Sequence, residues 1–497
     1  MAEIGHDLFF ATIPELNRLL VSREISAVEL TRVVAGRLQL LGPRYNALAL
    51  LLEPQAIRSA KAVDADLKRG RTRGPLQGIP YGAKDLLSFA GQPTTWGAKP
   101  YAGQVFDYDA AVIARLSDIG SVLVGKLSTV ELAGGGGYRY ATASLQGPGL
   151  NPWDRTRWSG GSSSGPAAAV AAGLVPFAIG SETSGSIVTP ASYCGVTALR
   201  PTYGLVSRHG AMALSWTLDK LGPFARSAED CGLILHEIAG SDSRDPASAR
   251  KNFYYAPQFA RPVKDLRAGI AAVDFAEWAE PAARPVFEAA LAVLRESGLQ
   301  LTETKLPDFP YGQVISTVIG AEEASVFEPL IRSGRVDQLA DATQIAGLKA
   351  NLDIPATAYL KAMRIRRLIQ EQFRELFSGV NALVAPGRMG VASPVAEPLD
   401  SPGPVLAPED PGMTDLIPAA NLAGLPALVL PCGFAEGLPV ALQVVGPPFS
   451  ENLLLAIGRE FQQRTTGTAG GHLARSTRVV CYTQNSTSAR RARSSVG

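Results

Sequence analysis

Apolar residues at Val28, Leu30, Val33, Val34, Leu38 and Leu41 recur at three- and four-residue steps, which predicts an amphipathic helix over residues 28–41. Ser26 followed by Glu29 forms a capping box at its start, and Gly42-Pro43 stops it. A second helix is predicted over residues 53–68, so the opening 65 residues read as helices packed on something larger. From Gly78 onward the texture changes. Short apolar runs such as Val122-Leu123-Val124 alternate with helical stretches such as residues 110–119, the rhythm of an α/β sheet. Residues 166–172, rich in alanine, read as a buried helix entered directly from a glycine-serine loop.

Further on, the pattern predicts a strand over residues 267–273, a helix over 282–297 and mainly helix over 310–380. Residues 387–412, rich in proline and glycine, read as a long surface loop. Strands at 427–430 and 440–445 and a helix at 451–464 follow, and they read as completing the same sheet. No internal repeat is present. The expectation is one α/β domain: residues 1–65 as helices on a body of residues 66–465, with 466–497 a disordered basic tail.

Composition narrows the function classes. Net charge is +2, and Arg475, Arg478, Arg490, Arg491 and Arg493 all fall after Thr466; the rest of the chain holds 42 basic against 45 acidic residues. That balance offers no basic face for nucleic acid. No run of about 18 apolar residues exists, so no membrane span is expected. The first residues lack the basic-then-apolar pattern of a signal peptide. Cys194, Cys231, Cys432 and Cys481 form no C-x-x-C pair and no metal-spaced cluster, so neither metal nor cofactor is expected. Scattered thiols fit a reducing, cytoplasmic setting.

Two glycine-serine loops carry the candidate chemistry. Gly160-Gly161-Ser162-Ser163-Ser164-Gly165 holds Ser162, and Gly180-Ser181-Glu182-Thr183-Ser184-Gly185-Ser186-Ile187 holds Ser186. Upstream, Gly78-Ile79-Pro80 leads into Lys84-Asp85. A serine hydroxyl needs a base beside it, and the chain has only four histidines. His6 and His472 are near the ends, His236 sits on an amphipathic helix, and His209 has no acid nearby in sequence and reads as structural. One lysine with two serines therefore suggests Ser-Lys catalysis. Lysine works as a base only when neutral, and burial behind the apolar turn 79–83 would lower its pKa. The small-residue turn Thr183-Ser184-Gly185-Ser186 can aim successive N–H groups at one point, as an oxyanion hole requires.

These motifs resemble those of the amidase signature family: Gly78–Asp85 its G-x-P-x-x-x-K-D, residues 160–166 its G-G-S-S-G-G-S, and residues 180–190 its G-T-D-T-G-G-S-I-R-x-P. Asn151-Pro152-Trp153-Asp154, residues 218–223 and Asn421-Leu422-Ala423-Gly424-Leu425-Pro426 match as well, so the likeness spans about residues 10–465. The resemblance implies one mixed, twisted sheet covered by helices on both faces. It implies Ser186 as acyl-enzyme nucleophile, and Ser162, beside a cis peptide, as proton relay. Lys84 would be general base and then acid, with the N–H groups of Thr183, Ser184, Gly185 and Ser186 as the oxyanion hole. This sequence departs from the pattern with Glu182 for aspartate, Ser184 for glycine and Val188 for arginine. In the first loop Ser164 stands for glycine and Pro166 for serine.

The implied activity is hydrolysis of a small linear amide, anilide or carbamate, with ester cleavage within reach of the same machinery. The competing reading is a glutaminase-type subunit delivering ammonia to a partner. Asp415 matches an aspartate that such subunits use near glutamine, but residues 341–353 lack their carboxylate-binding arginine. Gly134 to Gly137 and Tyr138 stand where relatives carry Met-Gly-Ser-Ser-Thr. Gly136, Gly137 and Tyr138 are therefore expected to shape a roomy, partly aromatic pocket for a bulky, uncharged substrate. A homodimer is compatible with the resemblance.

Overall fold

The capping box at Ser26 forms as expected: its hydroxyl accepts the Glu29 N–H and the Glu29 carboxylate accepts the Ser26 N–H. In the computed structural model, which describes residues 6–259, 261–399 and 408–465, this box opens the second helix. The first helices are α1 (Ile13–Val21), α2 (Ala27–Leu41), α3 (Glu53–Lys68), α4 (Ala111–Asp118), α5 (Ser164–Ala171) and α6 (Val188–Cys194). They are followed by α7 (Ala228–Ile238), α8 (Arg284–Glu296), α9 (Tyr311–Arg332), α10 (Ala342–Asn351), α11 (Ala356–Gly379), α12 (Leu416–Ala423) and α13 (Glu451–Thr465). Leu30, Val34, Leu38 and Leu41 of α2 are buried, while Val28 and Val33 are half-buried at the edge of the stripe.

The strands are β1 (Leu48–Leu51), β2 (Pro80–Lys84), β3 (Val122–Leu127), β4 (Phe177–Glu182), β5 (Thr197–Arg200) and β6 (Lys220–Ala225). Then come β7 (Arg267–Ile270), β8 (Gln300–Glu303), β9 (Ala382–Pro386), β10 (Ala427–Ala435) and β11 (Leu438–Val445). All join one sheet of 11 strands in the order β1-β3-β2-β4-β6-β5-β10-β11-β9-β7-β8. β2 runs parallel to β3 and β4, and β7 parallel to β8 and β9; the remaining pairs are antiparallel, so the sheet is mixed. Helices flank it, and every residue of β2, β3, β4, β6, β9 and β11 is buried, as strands covered on both faces must be. The strands beyond residue 412 lie between β5 and β9, so one sheet spans both sides of the proline-rich stretch.

Two predicted segments differ. The strand expected over 267–273 stops at Ile270, and a single π-helical turn, Asp274–Trp278, follows. Asp274 there is buried and accepts the Met413 N–H at 2.9 Å, a tertiary tie that overrides the local β preference. The stretch expected as a surface loop is docked along its described first half. Ser393 O accepts the Trp158 N–H at 2.8 Å, the Val395 N–H donates to Thr156 O at 2.9 Å, and Ala392 is fully buried beside Trp158. The basic tail lies outside the described residues.

Candidate active site

Parallel strands present their carboxyl ends at one edge, and that edge collects ligands in α/β sheets. Lys84 is the last residue of β2 and Glu182 the last of β4. Lys84 is fully buried. Its Nζ lies 2.7 Å from Ser162 Oγ, 3.0 Å from Ser163 Oγ and 2.9 Å from Ser181 Oγ. Its sequence neighbour Asp85 does not pair with it. Asp85 turns to Lys126, 2.9 Å away and equally buried, and accepts the N–H and hydroxyl of Thr95. Surrounded by hydroxyls and removed from water, Lys84 is held at about 7; burial is the chief cause, and the carboxylates of Asp219 and Glu182 oppose it.

The hydroxyls around Lys84 are not equivalent. Ser163 Oγ donates to Ser181 O at 3.0 Å, so its proton is committed. Ser162 Oγ has no other acceptor among the described residues, so its proton is available to a neutral Nζ lone pair. The Ser162 carbonyl is pinned by Thr129 Oγ1 at 3.0 Å and the Val130 N–H at 3.2 Å. The Gly161–Ser162 peptide is cis, as the resemblance implied. Gly160 takes φ +81°, and a Cβ there would lie 2.5 Å from Pro190 Cα, so only glycine lets this loop approach the start of α6.

Between β4 and α6 the chain turns through Thr183–Ile187. The Glu182 carboxylate closes this turn: one oxygen accepts the N–H of Ile187 (2.7 Å) and Val188 (3.0 Å). The other accepts Arg200 at 2.6 Å and Asn421 at 2.8 Å. Glu182 and Arg200 are both fully buried, and Arg200 with Lys220 holds the acid down at about 2 against the burial that would raise it. Val188, where relatives carry arginine, is buried in the core, and the guanidinium that meets Glu182 comes from Arg200 on β5. Thr183 Oγ1 donates to Asp219 at 2.6 Å, and Asp219 also accepts the N–H of Leu214 and Ser215. The N–H groups of Ser184, Gly185 and Ser186 meet no acceptor among the described residues. Ser186 itself is 8% exposed, and its hydroxyl has no hydrogen-bond partner among them. The structure thus joins Lys84 to Ser162 directly and leaves Ser186 buried in the second loop, with no hydrogen bond to either among the described residues.

The remaining sequence candidates scatter. Gly136 packs against α10: a Cβ there would sit 2.4 Å from Gln344 O, and its N–H donates to Glu323. Gly137 is exposed with open space around it. Tyr138 is half-buried, edge-on to Trp158, and its hydroxyl would lie 2.9 Å from a Cβ on Gly161. Asp415 is exposed at the N-cap of α12, whose Ile417 would stand 3.5 Å from a Cβ on Gly185. His209 has no hydrogen bond to Lys84, Ser162 or Ser186; its ring lies tilted 5.5 Å from that of Tyr108, and it helps line a cavity of about 180 Å³ that also touches Ser181, Thr183 and Asp219. Sequence reasoning missed roles for Ser163, Ser181, Arg200 and Asp219. Ser163 and Ser181 lie inside the two glycine-serine motifs and Asp219 inside the matched stretch 218–223, which were the available signals. Arg200 becomes a partner only through the fold. Among the described residues no His, Cys, Asp and Glu group has metal-binding geometry, and no helix is long and apolar enough to cross a membrane.

The family model described as Amidase matches residues 29–455. The chain is 36% identical over 483 residues to a Glutamyl-tRNA(Gln) amidotransferase subunit of Chloroflexus aggregans, covering 92% of this chain and 97% of that one. Among solved structures it resembles a protein described in connection with the origins of an s-triazine catabolic enzyme, with TM-score 0.83, 30% identity and 92% and 99% coverage. The native peptide amidase of Stenotrophomonas maltophilia aligns with TM-score 0.79, 30% identity and 92% and 97% coverage. With the family model across most of its length and these likenesses in fold and sequence, the chain belongs to the amidase signature family of hydrolases.

Proposed function

We propose that this chain hydrolyses the C–N bond of a linear carboxamide, anilide or carbamate through an acyl-enzyme on Ser186. Neutral Lys84 draws the proton of Ser162 while Ser162 draws that of Ser186, and the freed oxygen attacks the substrate carbonyl. The N–H groups of Thr183, Ser184, Gly185 and Ser186 receive the charge that develops on the carbonyl oxygen. Lys84, now an ammonium, returns its proton through Ser162 to the departing nitrogen, which leaves as ammonia or an amine. Water then repeats the attack and releases the acid. The observation that carries this reading is the fully buried Lys84, 2.7 Å from Ser162 and held near neutrality.

A panel of amides, anilides, esters and carbamates, assayed beside Ser186→Ala, tests it. Turnover of a C–N bond that vanishes in Ser186→Ala is expected; turnover that persists in the variant overturns the nucleophile assignment. Lys84→Ala should lose more rate on amides than on activated esters, whose leaving groups need no proton. Equal losses would refute the lysine as acid. The likeness to the Chloroflexus amidotransferase protein favours a second reading, a glutaminase that feeds a partner protein. Hydrolysis by the purified chain without partner, ATP or tRNA supports the first; silence on every amide until a partner is added supports the second.

A further inference from the structure

A second, smaller apolar cluster adjoins the Ser162 loop: Val130, Ala141, Ala143, Trp158, Tyr193 and Ala392, with Tyr138 packed against it. Trp158 stands edge-on to Tyr138 on one side and to Tyr193 on the other, at 6.1 and 6.3 Å between ring centres. A Cβ on Gly161 would meet both Trp158 and Tyr138 within 3 Å, so this aromatic wall abuts the Gly161–Ser162 peptide itself. Tyr193 belongs to α6, the helix that follows the Ser186 turn.

Arg388 caps this wall. It follows β9, where a Cβ on Gly387 would contact Ser192 of α6, and its guanidinium carbon lies 5.9 Å from the centre of the Tyr193 ring. Burial raises the pKa of the Tyr138 phenol, and the nearby Arg388 guanidinium opposes that rise. Arg388 is exposed to solvent. Among the described residues no carboxylate forms an ion pair with it. Glu280, packed against this stretch from the segment before α8, accepts the Val391 N–H and stands over Gly390. Trp158 Nε1 is a further donor, buried and without an acceptor. A cation, a tyrosine pair and an unused indole N–H beside one peptide of the catalytic loop favour an acceptor-rich, anionic group.

We propose that Arg388 determines specificity by anchoring a carboxylate borne by the amide substrate, several bonds from the carbonyl under attack. The preferred substrates are then monoamides of dicarboxylic acids or carboxyl-bearing aryl amides, whose apolar middle lies along Tyr138, Trp158 and Tyr193. A planar guanidinium suits a carboxylate because it can offer two parallel N–H donors. This rests on the proposed amide hydrolysis and replaces the uncharged substrate expected from the sequence with an acidic one.

The test compares glutaramate with pentanamide, and 4-carbamoylbenzoate with 4-methylbenzamide, pairs that differ in carboxylate against methyl. Wild-type kcat/KM should favour the acid member of each pair, and the preference should shrink as salt is raised. In Arg388→Met the acid-to-neutral ratio should fall about 10- to 100-fold, chiefly through KM of the acid, with Arg388→Lys between. A wild type that prefers the neutral members, or an Arg388→Met protein with melting temperature intact and ratio unchanged, overturns the proposal. If Arg388→Met does not fold, Arg388→Lys is read by the same ratio. If no amide is turned over, the hydrolase reading fails. The anchor is then judged by calorimetry of 4-carbamoylbenzoate with the Ser186→Ala protein: binding weakened on adding Arg388→Lys supports it, and binding unaffected by that change refutes it.

Discussion

Replacing Lys84 by methionine keeps the length of the side chain and removes the amine whose protonation controls the chemistry. In the unfolded chain this lysine titrates near 10.5, and in the native protein at about 7. Between those values the unfolded state binds one proton more than the native state, so native stability rises with pH across that window. The slope is about 1.4 kcal/mol per pH unit. From pH 7 to 9 the wild type should therefore gain roughly 2–3 kcal/mol from this group, a gain that Lys84→Met lacks. Below pH 6 both states are protonated and the term is flat. Loss of the three hydroxyl contacts also costs stability, but that cost does not vary with pH in this window. Urea unfolding of both proteins at pH 6, 7, 8 and 9 isolates the effect. The stability of Lys84→Met relative to wild type should fall by roughly 2–3 kcal/mol between pH 7 and 9. In parallel, wild-type kcat/KM should rise about tenfold per unit below pH 7 and level off above it. A relative stability that does not change over this range, with a rate profile flat from pH 5.5 to 8.5, would refute the neutral-lysine argument.

Two further outcomes follow from the packing around the loops. Glu182→Gln should destabilise by about 3–5 kcal/mol, because it leaves Arg200 buried and unpaired, and should lower kcat by loosening the Ile187 and Val188 N–H contacts. Glu182→Asp should cost less; a Glu182→Gln protein as stable and active as wild type would remove the acid from the account. Gly136→Ala should destabilise by about 2–5 kcal/mol, since the new methyl meets Gln344 O at 2.4 Å and the backbone there is left-handed, φ +83°. Gly137→Ala has open space and should cost only about 1–2 kcal/mol from its left-handed backbone. Thermal melts compare the two, and a larger loss at Gly137 would contradict the packing assignment.

Elements governed by short-range pattern were legible before the fold was seen. The helix at Glu53–Lys68 and the capped helix at Ala27–Leu41 appear where periodicity and capping chemistry put them. Segments governed by distant partners were not. Asp274 ends a strand by bonding Met413, 139 residues away, and the proline-rich stretch is drawn inward by Trp158. The glycines at 134–137 suggested room, but whether a missing Cβ leaves a pocket or admits a helix depends on what packs there, and at Gly136 it is α10.

For the chemistry the division is similar. The order of residues alone marked Lys84, Ser162 and Ser186, because turns crowded with glycine and serine leave a local imprint. It could not reveal that Asp85 belongs to Lys126, that Glu182 is met by Arg200 from another strand, or that Arg388 overlooks the aromatic wall. Desolvation and charge pairing depend on which atoms stand within a few ångströms, and those atoms arrive from strands and helices far apart in the chain. A lysine is recognisable from its neighbours in sequence; its loss of charge is a property of the closed fold.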